Sequence, residues 1–305
     1  MTASSRWVCG ARTSDGYVTL AVLLMVGLLA VLVSSLMAIS RPALGLARIG
    51  AEQIVADALA EGGLNAAAFL LFGLERAPGR VDGLLLRRQT GSVRLSVADE
   101  SGRIDLNSAE PELLAGLFEA AGGSSLRPDA FAGRIVDWRD DDDEISDFGA
   151  EAGEYESAGS PYRPPNRPFR AVDQLRLLLG LSPADFALLQ PFLTVFNPDG
   201  LIDPFSAPAT VLRAVPEITD ADIRLIMAGR NSEDLDRFYE VIDRYSDYVR
   251  SYPSGVYRVG VAARLETGFT STMEAVIVEP PDDSVDYGVV AWSRLAAASI
   301  ATLIR

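Results

Sequence analysis

The chain has 305 residues, 49% hydrophobic and 23% charged, which suits about two packed domains and argues against disorder, a collagen repeat or a disulfide-stapled miniprotein. The formal charge is −15, from 42 acids against 27 basic residues that are all Arg, so the surface as a whole repels phosphate polymers and favours cations or basic partners. With no His and with Cys9 as the only cysteine, imidazole acid–base and nucleophilic chemistry, HExxH zinc sites, CxxC metal sites and disulfide frameworks are excluded.

Residues 17–40 (YVTLAVLLMVGLLAVLVSSLMAIS) carry no charge. At about 1.5 Å per residue they make a helix of roughly 36 Å, enough to cross a hydrocarbon core. Arg6 and Arg12 precede the run against Asp15, and Arg41 and Pro42 close it, so the positive-inside count fixes orientation only weakly. Three readings compete. A secretory signal has a shorter apolar core, about 7–15 residues, and a small-x-small cleavage site. A plain signal anchor is the second. The third turns on Gly16, directly ahead of the apolar run. A polar leader ending in Gly, then an aromatic and a run of aliphatics, resembles the signal of type IV pilins and pseudopilins. That resemblance implies cleavage by prepilin peptidase between Gly16 and Tyr17, methylation of the new N-terminus and retention of the helix. Most such proteins have Glu as the fifth mature residue, whereas this chain has Ala21. An apolar residue there avoids burying a carboxylate in lipid, and its presence is the habit of K-type minor pseudopilins.

Beyond the apolar run, residues 44–72 keep apolar residues at helical spacing with Glu52, Gln53, Asp57 and Glu61 opposite, so the helix is expected to continue as a stem, locally weakened at Gly62-Gly63. An anchor followed by an independent soluble helix fits the same pattern. Alternation predicts strands over Ser92–Ala98, Val256–Leu265, Thr270–Val278 and Gly288–Trp292, the middle pair joined by a hairpin around Gly268. Some 150 residues of mostly helical pattern separate the first strand from the others. Because a lone strand leaves both edges unsatisfied, the economical arrangement is one antiparallel sheet with a large α-domain inserted between its strands.

The insertion contains a repeat. GRIDLNSAEPELL (Gly102–Leu114) aligns with GLIDPFSAPATVL (Gly200–Leu212) at six of thirteen positions, each copy an extended entry, a cap region and a helix. The layout resembles the helix-hairpin-helix, or SAM-like, unit, which often binds DNA. Here the second hairpin, Pro216–Asp220, has two acids and no Gly, and the first connection offers only Arg127. The cations that counter-ion release requires are absent, so nucleic acid is not expected as a partner.

Residues 137–156 hold ten acids against one Arg. Carboxylates packed this closely repel unless cations compensate. A solvated mobile loop is one reading; calcium, which takes six to eight oxygens at flexible geometry, is the other. The spacing does not fit an EF-hand, and transition metals lack imidazole or thiolate here. Pro161–Arg170 (PYRPPNRPFR) reads either as a rigid turn that sets Arg163 or Arg167 against these acids or as a polyproline spacer. Trp138, Phe169 and Phe192 are expected as core anchors.

DESGRIDLNSAEPELL, IVDWRDDDDE, GAEAGEY and PYRPPNRPFRAVDQLRLLLGLSPADFALLQPFLTVF, in that order, resemble the K-type minor pseudopilins of type II secretion. With the Gly16 leader and Ala21, the resemblance spans Gly16 to about Trp292. It implies calcium in the acid loop, with Asp137, Asp140, Asp142 and Glu151 as ligands. Where the family often has Asp after GAE, this chain has Ala152, so that either a ligand is lost or Glu154 replaces it. The resemblance also implies a non-enzymatic subunit at the tip of a pseudopilus. Its partners would be the I-type and J-type minor pseudopilins, the inner-membrane assembly platform and prepilin peptidase. It would be a single-pass inner-membrane protein with its C-terminal domain in the periplasm. The alternative is a membrane-anchored helix-hairpin-helix DNA-binding protein. The expected class is α+β: an N-terminal transmembrane and stem helix packed on an antiparallel pilin-type sheet, with an inserted all-α domain. The expected boundaries are a leader at 1–16, the transmembrane helix at 17–41, pilin-like core at 42–101 and 246–305, and the insertion at 102–245. SAM-like repeats are expected at 102–138 and 200–230, and the tail 295–305 runs past the usual end of the family.

Overall fold

The computed structural model describes residues 15–230, 236–250, 252, 254–279 and 287–294. The leader up to residue 14 and the tail 295–305 lie outside the described residues. The chain forms two units, Met1–Asp57 and Ala58–Arg305. Helix α1, Asp15–Ala68, begins in the first and ends in the second.

In the first unit, Gly16 and Tyr17 lie in the opening turn of α1. Tyr17–Ser35 has a mean hydropathy of 2.6, and none of it is buried by protein. An apolar helix left uncovered among the described residues suits a bilayer, and its length suffices to cross one. Further on the helix turns polar, with Arg48 and Glu52 paired one turn apart at 3.3 Å.

The second unit starts with the last turns of α1, which bury Ala60, Leu64, Ala67 and Ala68. A π-turn, Phe69–Gly73, and a short helix α2, Pro78–Val81, end this layer. It packs on a five-stranded sheet of β1 (Leu85–Arg88), β2 (Gly91–Asp99), β5 (Val256–Leu265), β6 (Thr270–Val278) and β7 (Gly288–Arg294), antiparallel throughout and in the order β1-β2-β5-β6-β7. Alternation in β2 turns Val93, Leu95 and Val97 into the core, opposite Ala263, Val261 and Val259 of β5. Gly63 explains how closely helix and sheet approach: a Cβ there would lie 2.6 Å from Val93 Cγ1 and 2.9 Å from Val261 Cγ1. Of the Gly pair that weakens the helix in sequence, Gly63 is thus the point where it seats on the sheet, while Gly62 is exposed.

Between β2 and β5 the chain makes a second core out of helices. These are α3 (Pro111–Ala120), α4 (Pro128–Arg139), α5 (Ala152–Ser157), α6 (Pro183–Leu189), α7 (Ala209–Arg213), α8 (Asp220–Gly229) and α9 (Asp236–Asp243). Phe118, Phe131, Ile135, Trp138, Leu189, Leu212 and Ile226 lie inside it. A parallel pair, β3 (Ile104–Asp105) and β4 (Leu193–Thr194), sits at its base. The buried Glu100 carboxylate joins this base to the sheet: it meets Arg258 of β5 in a two-pronged contact, 2.5 and 3.2 Å, and accepts the hydroxyl of Thr194.

The duplicated sequence folds the same way twice. Ile104 bridges Leu193 and Ile202 bridges Val249, both in parallel. The Asp105 carboxylate accepts the backbone N–H of Asn107 and Ser108; that of Asp203 accepts the backbone N–H of Phe205 and the hydroxyl of Ser206. In each copy an Arg from the end of the second helix closes the turn. Arg139 donates to the Leu106 and Ala109 carbonyls, and Arg230 donates to those of Pro204 and Ala207. The copies meet where Gly116 of α3 touches the Ala214 backbone, a contact that admits no side chain.

Candidate metal centre

The site grows from the end of α4. Pro128 in its first turn and Asp129 beside the N-terminal N–H groups start the helix, and Arg139 ties its last turn to the first Asp turn. Asp137 is fully buried in this last turn. One of its oxygens accepts the Ser146 N–H at 3.0 Å, which folds the acid loop back on the helix; the other is buried without a partner. Two glycines permit that return. A Cβ on Gly133 would lie 2.5 Å from the Asp147 carbonyl, and one on Gly149 would lie 2.0 Å from the free oxygen of Asp137.

The loop ends at α5, for which Glu151 is the residue before the first turn. The residue is 4% exposed, and neither carboxylate oxygen makes a well-formed hydrogen bond, the nearest donors being N–H groups in the first turn of α5. One oxygen of Asp140 is in the same condition. Burial, and then the charges of Asp137, Asp140 and Asp143, push Glu151 up to about 7. Asp140 is raised as well, by burial first and next by Asp142, Asp137 and Asp141. Four buried carboxylate oxygens without a well-formed hydrogen bond, on Asp137, Asp140 and Glu151, concentrate negative charge here, and a cation would relieve it.

Of the residues that the sequence singles out, Asp137, Asp140 and Glu151 form this electrostatic group. Asp142 is exposed, with one oxygen accepting the Glu144 N–H at 2.8 Å. Glu154 reaches back to the N–H of Glu151 at 3.0 Å, so one of its oxygens serves the start of α5. Among the described residues no three acids stand in a ligand geometry. The donor set is hard oxygen only, which fits calcium and no softer metal.

The proline-rich segment meets the acid run through a residue the sequence reading passed over. Asn166 donates its side-chain amide to the Asp142 carbonyl at 2.5 Å and to the Asp143 carboxylate at 3.0 Å. Arg167 instead offers its backbone N–H to the Trp138 carbonyl. Trp138 and Phe169 stack at 5.3 Å in the core, and Phe192 packs half-buried against it. The signal that could have pointed to Asn166 is its setting, between Pro165 and Pro168 with Arg167, where a donor is held rigidly.

Comparison with known proteins points one way. Residues 93–198 match the family described as "Type II secretion system (T2SS), protein K". A curated relative, "Type II secretion system protein K" of Pseudomonas aeruginosa, is 30% identical over 153 residues, 47% of this chain and 46% of that protein. The match thus spans about half the length of the curated relative. Among solved structures, a chain of "The Crystal Structure of the GspK-GspI-GspJ complex from enterotoxigenic Escherichia coli Type 2 Secretion System" shares the fold. Its TM-score is 0.56 at 16% identity, with 85% of this chain and 99% of that chain covered.

Proposed function

We propose, from its similarity to type II secretion system protein K, that the chain belongs to that family and is a structural minor pseudopilin that serves protein export across the outer membrane. Prepilin peptidase removes residues 1–16, Tyr17 becomes the methylated N-terminus, and the helix of residues 17–41 holds the subunit in the inner membrane with its head in the periplasm. The observation that supports this reading best is the topology: neighbouring strands β2 and β5 are separated in sequence by a helical head of residues 100–255. A pilin stem offers its helix to neighbours on every side, but a head of this bulk obstructs a subunit above it, so the subunit finishes the filament at its tip. Ala21 agrees, since no subunit beyond would offer an amine for a fifth-position carboxylate to pair with.

The I-type and J-type minor pseudopilins are its partners through their stem helices, and the assembly platform receives the group. The bilayer gives up the apolar helix only when those neighbours supply an equivalent surface. The two Asp-turn units are SAM-like repeats used as structure, and no reaction is assigned to the head. Calcium belongs in the acid loop. Asp137, Asp140 and Glu151 would hold it, with Asp142 and Glu154 beside them, and its charge would cancel the repulsion among them. In a strain lacking the chain, secretion of type II exoproteins should stop. The full chain should restore it and a Gly16→Leu variant should not; secretion that continues without the chain would refute the reading.

A further inference from the structure

We infer that Asn166 is a positioning residue for the cation, its side-chain amide shaping the acid run into a form that calcium can enter. The inference rests on the calcium reading above and goes beyond the acids themselves. Asn166 sits 24 residues from Asp142 in sequence, yet it donates to both the Asp142 carbonyl and the Asp143 carboxylate. Among the described residues, no other segment sends a side-chain hydrogen bond to residues 140–144. The backbone of Asn166 has φ +47°, a left-handed conformation that Asn tolerates better than most residues. Its flanks are fixed from two sides. The Arg167 N–H bonds the Trp138 carbonyl, and Phe169 exchanges two hydrogen bonds with the Asn107 side chain, at 2.6 and 2.9 Å. The amide therefore arrives at the loop already oriented.

Its chemistry suits the position. A neutral donor steadies the acid run without adding a cation that would compete with calcium, as an Arg at the same place would. Partners of this kind behind a metal's ligands commonly govern affinity by 10–100-fold.

Isothermal titration of calcium chloride into the detergent-solubilised full chain tests this. Asn166→Gly keeps the left-handed backbone available and deletes the amide; its calcium affinity should fall about 10–100-fold, while the calcium-free near-ultraviolet circular dichroism of the chain stays as it was. Unchanged affinity in that variant, beside a binding parent, would overturn the inference and leave the calcium reading standing. No uptake by the parent would overturn both. If Asn166→Gly does not fold, a cycle with Asp143→Asn and Asn166→Ser decides: the Asn166 substitution should cost less affinity in the Asp143→Asn background, and equal costs in both backgrounds would overturn the inference.

Discussion

Glu151→Gln separates a buried carboxylate that waits for a cation from one that merely packs. Glu151 is 4% exposed with neither oxygen in a well-formed hydrogen bond, and it is pushed up to about 7 from an ordinary 4.5. A carboxyl raised in the folded state favours folding while it is protonated. That contribution is complete below the unfolded value and is lost as pH climbs from about 4.5 to about 7. At 1.36 kcal/mol per pH unit, the calcium-free chain should lose about 3 kcal/mol across this window. Gln has the same shape and no charge to desolvate. At pH 8 without calcium the variant should therefore melt higher than the parent, by roughly 6–12 °C for a unit of about 250 residues, and at pH 5 the two should nearly coincide. Calcium should reverse the order at pH 8, since it stabilises ionised Glu151 and finds one ligand fewer in the variant. Uptake near pH 6.5 should also release close to one proton per site, measured by calorimetry in buffers of different ionisation enthalpy. Thermal melts of the full chain at pH 5, 6, 7 and 8, with EGTA or with calcium, read all of this. A Gln variant that melts below the parent at pH 8 in EGTA, yet gains as much from calcium, would refute the reasoning.

Gly149→Ala should lower the melting temperature with or without calcium. The new Cβ falls 2.0 Å from Asp137 Oδ2, and Asp137 is buried and held by the Ser146 N–H, so a cost of about 1–3 kcal/mol is expected. An unchanged melt would mean that the loop does not close on α4. Arg258→Ala should cost about 2–3 kcal/mol in a denaturant titration, because the fully buried Glu100 loses both guanidinium bonds and keeps only Arg103 at 3.3 Å and the Thr194 hydroxyl. Glu100→Gln in the same chain should recover part of that loss, and a cost below about 1 kcal/mol would show that the sheet and the helical head are not joined through this pair.

Much of this architecture was legible in the sequence because single faces are buried. Val93, Leu95 and Val97 alternate because one face of β2 meets α1 and the other does not. β1 escaped notice since Leu85–Arg88 is four residues long, mostly exposed, and without alternation. The duplication was visible through Gly, Ile and Asp at matching places, which the turn and the parallel bridge require. The clamps Arg139 and Arg230 were not, since unequal connections put them at different distances from their turns. In the acid loop, composition announced a concentration of charge, but which carboxylates end up dry depends on Gly133 and Gly149 admitting the return of the loop. Arg163 and Arg167 were natural choices against acids on charge alone. The segment uses Asn166 instead, a contact that only the folded path of the prolines brings within reach.

The account stands or falls on what this subunit assembles with. Co-expressed at full length with the I-type and J-type minor pseudopilins of its own system, extracted in detergent and weighed by native mass spectrometry, it should appear in one complex with a single copy of each, its own chain beginning at Tyr17. Homopolymers of this chain, or a chain that neither neighbour retains, would contradict the central claim.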